Sequence, residues 1–248
     1  MPAAPHPFDQ SSYQVRLDWG LEGLARVAPA EIVVIVDVLR FSSTVARRLA
    51  ADAAPVALDE TAHAVSLNGA ALAKAAADPR VPAEAAAGSA AGPALVVLGG
   101  LVNASAVARF VADEQQRAGQ HTPGQHAPGH HTPGQRTRVT VIAAGERVSR
   151  EPGASLRFAV EDLFGAGAII DALGRLGIDH TSPEAAAATE SFRALRPALR
   201  HLLSASGSGR ELAATDADGT RAAEVAAAAE LDAVDAVPVL RDGRFVRA

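Results

Sequence analysis

Apolar residues in this chain gather in short unbroken runs, and amphipathic stretches follow them. Ile32–Val36 (IVVIV) is a continuous β-branched run too short to span a membrane, and it predicts a strand buried on both faces of a parallel sheet. Ala94–Leu98 (ALVVL) and Arg138–Ala143 (RVTVIA) repeat the pattern. Helical patterns follow each run: STVARRLAAD ending near Asp52, AVARFVADEQQR, and, after a loop, a long helix from Leu156 to Leu176. Strands that each feed a helix are what βαβ units require. Tyr13–Asp18 (YQVRLD) alternates like a half-buried strand and breaks at Trp19-Gly20 before a short helix over Leu21–Val27. Pro55–Leu58 (PVAL) predicts a short second strand in the same βαβ style. Ser182–Glu230 reads as helix in pieces, broken by Pro197, SASGSGRE and DADGT. Ala236–Val246 predicts a hairpin turning at Asp242-Gly243. The fold class is therefore α/β: a mixed, mainly parallel β-sheet covered by α-helices. Residues 1–248 form one domain with a low-complexity loop insertion at 119–136.

Two stretches carry less pattern. Between 60 and 93, Ala-rich helical segments alternate with DPRVP and GSAAGP breaks, and the polar cluster there is Ser66-Leu67-Asn68-Gly69, first of all a turn signal. From His121 to Gln135 the chain repeats every five residues (HTPGQ, HAPGH, HTPGQ), and Pro-Gly pairs at 123/124, 128/129 and 133/134 exclude regular helix or strand. Four of the eight histidines lie in that insert. With no acid or thiol among them, they read as a loop expansion and not as a metal site.

Composition narrows the partners. Hydrophobic residues are 48% and aromatics 4% of the 248, so the core is built from Ala, Val and Leu. A net charge of −5 without a basic stripe argues against nucleic acid. No cysteine is present, which removes disulfides, thiolate catalysis and cysteine metal sites. No apolar run approaches the roughly 20 residues of a membrane span. The opening MPAAPHPFDQ lacks a basic region followed by an apolar core, so the expectation is a cytoplasmic protein.

The chemistry concentrates at strand ends. Asp37 closes the 32–36 run, and Val38-Leu39-Arg40-Phe41 leads into Ser42-Ser43-Thr44 at a helix start. In open α/β sheets ligands bind at the carboxyl ends of strands, and helix N-termini favour phosphate. The plainer reading gives Ser42 or Ser43 as a helix cap, Asp37 as a turn residue and Arg40 as a surface pair. The 94–98 run repeats the architecture with Gly99-Gly100 and then Asn103-Ala-Ser105. The 138–143 run ends in Ala144-Gly145-Glu146. Glu161 and Asp162 sit early in the long helix, and Gly165 and Gly167 would admit another backbone. Neighbours on a helix diverge by about 100°, so one of the two acids can ligate an ion while the other orients it or caps something nearby. Otherwise the pair is a solvated face.

In this order, VVIVDVLRFSSTV, LVNASAVA, SLRFAVEDLFGAGAIIDAL, SGREL and VDAVPVLRDGRFV resemble the 2-phosphosulpholactate phosphatase family, as does the opening VRLDWGLEGL. The resemblance spans roughly 11–58, 94–112 and 138–246. It implies an α/β fold and magnesium-dependent hydrolysis of 2-phosphosulpholactate to sulpholactate and phosphate, with coenzyme M biosynthesis as the family's pathway. Carried over by position, Asp37 and Arg40 would be catalytic, Asp37 as nucleophile or as magnesium ligand. Arg40, Ser42, Ser43, Thr44, Asn68, Gly69 and Asn103 would bind substrate. Asp37, Glu161 and Asp162 would hold Mg²⁺. The expected partner is a small phosphorylated anionic substrate, with no nucleic acid and no membrane, and a homo-oligomer is left open. The family's glycine-rich acidic segment and G-N-S-P element have no counterpart between 60 and 93. Glu84 lies there without recognisable context, and Ser66–Ala70 is what stands for an N-G-T loop. A non-catalytic relative that binds a phosphorylated or sulphonated metabolite is therefore the alternative, and an α/β protein that keeps only the fold is the third reading.

Overall fold

Val33 and Ile35 face one side of the central strand, while Ile32, Val34 and Val36 face the other, and all five are buried. A strand covered on both sides needs helices on both, and the fold follows from that. The computed structural model describes residues 6–52, 54–59, 68–78, 94–120, 137–149, 154–216 and 218–248. Ser66, Leu67, Glu84 and the Pro-Gly pairs of the insert lie outside the described residues.

In chain order the first half comprises β1 (Val15–Trp19), α1 (Gly20–Arg26), β2 (Ile32–Val36), α2 (Phe41–Ala50), β3 (Val56–Ala57), α3 (Gly69–Ala76), β4 (Leu95–Gly99) and α4 (Ala104–Gln120). The second half comprises β5 (Val139–Ala143), β6 (Glu146–Arg147), β7 (Leu156–Arg157), α5 (Val160–Arg175), α6 (Pro183–Leu195), α7 (Leu199–Ala205), α8 (Gly207–Ala214), α9 (Thr220–Ala228), β8 (Pro238–Arg241) and β9 (Arg244–Arg247). Seven strands make one sheet in the order β1-β5-β2-β4-β8-β9-β3. The first four are mutually parallel, and the last three join antiparallel. The protein thus has the mixed, mainly parallel α/β fold. α2 and α3 pack on the Val33/Ile35 face, and α4, α5 and α6 pack on the other. Among the described residues no helix is long and apolar enough to cross a membrane.

Two elements differ from the sequence expectation. Pro55–Leu58 does not continue the βαβ series: β3 is two residues long and pairs antiparallel with β9, Val56 opposite Phe245, at the sheet edge. The C-terminal hairpin, turning at Asp242-Gly243 with both residues at positive φ, inserts between it and β4. The edge is also where Pro55, with no N–H to donate, is tolerated. The long helix begins at Val160 and not at Leu156, because Leu156-Arg157 pairs with Glu146-Arg147 as a two-stranded arm. Leu156 covers Gly20 and Gly145, and the Phe158 ring meets Trp19 with centroids 5.1 Å apart. Those contacts hold 156–158 extended.

Gly167 explains how α5 and α6 pack so closely. A Cβ there would lie 2.2 Å from the Ala188 carbonyl oxygen, a backbone atom that cannot swing aside. Gly167→Ala is expected to force the helices apart and to cost about 1–3 kcal/mol despite alanine's better helix propensity. Chemical denaturation of the variant against wild type checks this, and a midpoint equal to or above wild type would contradict it.

Candidate active site

The strand register lines up Trp19, Ala143, Val36 and Gly99 along one edge of the sheet. From that edge the chain leaves β2 through α2 on one face, and leaves β4 and β5 through α4 and α5 on the other. The end of β2, where the chain departs to both faces, is the crevice position of an open α/β sheet.

Asp37 occupies it, 4% exposed. Its Oδ1 accepts from the Phe41 N–H at 3.1 Å, and its backbone carbonyl accepts from Ser42 N at 2.9 Å. Ser42 Oγ donates to the Ile35 carbonyl and accepts from Asp37 N, both at 3.1 Å. Ser43 Oγ donates to the Val38 carbonyl at 2.9 Å. Both serines are buried and lie within α2, which starts at Phe41, so neither is its N-cap. They hold the turn that aims Asp37, and Thr44 is half-buried one residue further on.

Asp162 joins this turn to the one after β5. Its Oδ1 accepts from Val38 N at 2.8 Å and its Oδ2 from Gly145 N at 2.9 Å, across 124 and 17 residues of sequence. Burial first, then the charges of Asp37 and Glu161, push its carboxyl well above the usual carboxylate range, against those two N–H groups. Glu161, its neighbour, is 3% exposed and makes no hydrogen bond or ion pair among the described residues. The two acids thus have different surroundings: Asp162 is spent on backbone, and Glu161 is not.

Asn68 and Gly69 come to the same place. Asn68 Nδ2 donates to the Gly145 carbonyl at 2.8 Å. A Cβ on Gly69 would stand 2.6 Å from Asp37 Oδ2, so only glycine lets α3 start against that carboxylate. Arg40, half-buried, directs Nη1 to Glu224 Oε2 of α9 at 2.7 Å, and Nε and Nη2 make no hydrogen bond among the described residues. Asn103 is not brought to the crevice. It is fully buried, accepting from Gly100 N at 3.0 Å and donating to the Ala236 carbonyl at 3.0 Å and more weakly to that of Leu98. Its carboxamide ties the β4 turn to the strand leading into β8.

Sequence reasoning assigned no role to Glu146, Arg157 or Ser208. Glu146 and Arg157 are cross-strand partners on the β6–β7 arm, and Ser208 Oγ of α8 donates to Glu146 Oε2 at 3.1 Å. Burial, helped by Asp37 and Glu211, raises the Glu146 carboxyl against Ser208 and Arg157. The signals were present as A-G-E at a strand end and S-G-R-E at a helix start, but nothing in their spacing joins them.

The end of β2 therefore gathers three buried acids, with half-buried Glu146 one residue beyond Gly145 and the half-buried Arg40 three residues beyond Asp37. Among the described residues no three Asp, Glu or His side chains form a ready-made metal cage. Mg²⁺ does not require one, since it commonly takes one or two carboxylates and completes its octahedron with waters and substrate phosphate. Glu161 is 3% exposed as a residue and its carboxylate takes no hydrogen bond among the described residues, so with Asp37 nearby the donor set fits a hard divalent ion.

Compared with known families, residues 83–243 match the family model of 2-phosphosulpholactate phosphatase, more than half of the chain. The match contains Asn103, Glu146, Arg157, Glu161, Asp162 and Ser208, whereas the Asp37 turn precedes it. No curated protein matches the chain closely enough to serve as a named relative.

Proposed function

The chain belongs to the 2-phosphosulpholactate phosphatase family, and from that membership we propose that it is a magnesium-dependent phosphoric monoester hydrolase. Its substrate is a small acidic phosphate ester, 2-phosphosulpholactate on the family's precedent. The carrying observation is the nearly complete burial of Asp37 and Glu161 on either side of an Asp162 already committed to backbone. Three acids gathered at the carboxyl edge of a parallel sheet fit an ion-dependent phosphoryl site.

Asp37 and Glu161 would hold the Mg²⁺. When bound, the ion neutralises charge on the transferring phosphoryl oxygens. Asp162 fixes the Val38 and Gly145 backbones, and through them the spacing of the β2 and β5 turns. Arg40 offers Nε and Nη2 to the equatorial phosphoryl oxygens while Glu224 steadies Nη1. Asn68 and the two buried serines keep the surrounding turns in place.

The test is phosphate release from a panel of small phosphoesters that includes 2-phosphosulpholactate, measured with Mg²⁺, with EDTA, and with EDTA followed by excess Mg²⁺. Chelation is expected to lower release at least about 100-fold, consistent with several kcal/mol of transition-state stabilisation, and Mg²⁺ is expected to restore it. Absence of release from every ester with Mg²⁺ present would overturn the proposal.

A further inference from the structure

An acidic ester presents a second anionic group besides the phosphoryl, and a crevice lined by Asp37, Glu161, Asp162 and Glu146 repels it. Something cationic must take that group, and Arg40 is already assigned to the phosphoryl end. We propose that Arg157 is the specificity-determining residue, its guanidinium binding the carboxylate or sulphonate on the leaving-group side of the ester. This assignment rests on the phosphatase reading above.

Its position is set by the arm. Leu156 is turned onto Gly20 and Gly145, so Arg157, the next residue along the strand, projects to the opposite side. Glu146, its antiparallel partner, projects with it. Glu146 directly follows Gly145, whose N–H meets Asp162 at 2.9 Å and whose carbonyl meets Asn68 at 2.8 Å, so the arm springs from the acid site itself. The Arg157 guanidinium lies over Gly207, with Nη1 2.8 Å from where a Cβ would be.

Its freedom is set by Ser208. The natural partner for Arg157 is the facing carboxylate of Glu146, yet no ion pair joins them, because Glu146 is drawn to the Ser208 hydroxyl at 3.1 Å. Arg157 makes no hydrogen bond or ion pair among the described residues. An exposed arginine without a partner is ordinary on a protein surface. This one is held by its strand beside a carboxylate that prefers a serine, at the rim of an acid site. A planar fork of donors there matches a carboxylate or a sulphonate two oxygens at a time.

The experiment compares wild type, R157Q and R157K on four phosphate esters: 2-phosphosulpholactate, phospholactate with only a carboxylate, the phosphate of 2-hydroxyethanesulphonate with only a sulphonate, and ethyl phosphate with neither. Sulpholactate binding, measured by calorimetry with Mg²⁺, is read in parallel. R157Q is expected to raise KM about 10- to 100-fold on esters that carry the group Arg157 binds, with kcat changed much less and ethyl phosphate unaffected. The two single-anion esters tell which group that is. R157K is expected to recover part of the loss, as a point charge without the fork. Sulpholactate affinity should fall at least 10-fold in R157Q. If wild type hydrolyses no ester but binds sulpholactate through Arg157, the phosphatase reading fails and this assignment stands. If R157Q equals wild type toward every ester and toward sulpholactate, or loses equally on ethyl phosphate, the assignment is overturned.

Discussion

Asp37→Asn is expected to lower magnesium-dependent phosphate release at least about 1,000-fold while leaving the fold as stable as wild type or more so. The two effects share one cause. Asparagine keeps an oxygen for the Phe41 N–H at the start of α2, so the turn loses little. What disappears is a charge packed beside the Asp162 carboxyl. Asp162 is raised by burial and then by Asp37 first among its neighbours, so removing that charge lets it move back towards the ordinary carboxylate range. Relief of about 1 kcal/mol would raise the melting temperature by roughly 2–4 °C. Loss of turnover with a rise in melting temperature marks a charge that the fold tolerates for its chemistry. Retained turnover would remove Asp37 from the site. A large fall in melting temperature would make Asp37 a structural turn residue.

The split between Glu161 and Asp162 follows from helix geometry. Consecutive residues at the first turn of α5 cannot point the same way. One reaches back to the turns after β2 and β5 and takes an N–H from each, and the other is left nearly buried without a partner. Asp162 also links the part of the chain that matches the family to the Asp37 turn, which the match does not reach.

Most of the sheet was legible because its strands are buried on both faces, and an unbroken β-branched run admits few other readings. Ile32–Val36 is the strand in the structure residue for residue, and the Asp242-Gly243 turn falls where its dipeptide puts it. What failed was local. Leu156-Arg157 reads as the first turn of a helix because Leu, Arg and Phe all suit one. Its extended conformation is imposed by Gly20, Gly145 and Trp19, far away in the chain. Pro55–Leu58 was placed in the parallel series because nothing in four residues says that a C-terminal hairpin will come between. The crevice was half legible. Asp37, Glu161 and Asn68-Gly69 stand at strand and helix ends where sequence patterns point. The Glu146–Ser208 contact joins residues 62 apart with no shared motif, and Asn103 looks like a ligand in sequence although its carboxamide is consumed by backbone.

The largest stability effect is expected at a residue whose pattern misleads. In Tyr13–Asp18 the alternation places Val15 and Leu17 inward and Arg16 outward, yet Arg16 is 0% exposed. Its guanidinium donates to the carbonyls of Ala28 at 2.7 Å, Tyr13 at 2.9 Å, Ser11 at 3.2 Å and Pro29 at 3.3 Å. Beside it Gln10 pairs with both the N–H and the carbonyl of Leu17, so the 10–13 segment covers the edge strand β1 as another strand would. Burial lowers the Arg16 pKa, and repulsion from Arg138 adds to it, with Asp9 and Glu31 opposing. Arginine stays charged even so, and the carbonyls act as its counter-charge. Arg16→Met fills much of the volume but leaves four carbonyls without a donor, with an expected loss of about 3–5 kcal/mol and a melting temperature lower by roughly 10 °C. Arg16→Lys is expected to recover little, since three donors on one nitrogen cannot reach carbonyls spread around a planar fork. Turnover measured well below the melting point should be unchanged in both variants, because β1 meets the crevice only through the far end of the strand. An Arg16→Met protein that melts with wild type would mean that water replaces the guanidinium at no cost, and that Gln10 and the Val15–Thr181 bridge hold the edge of the sheet without it.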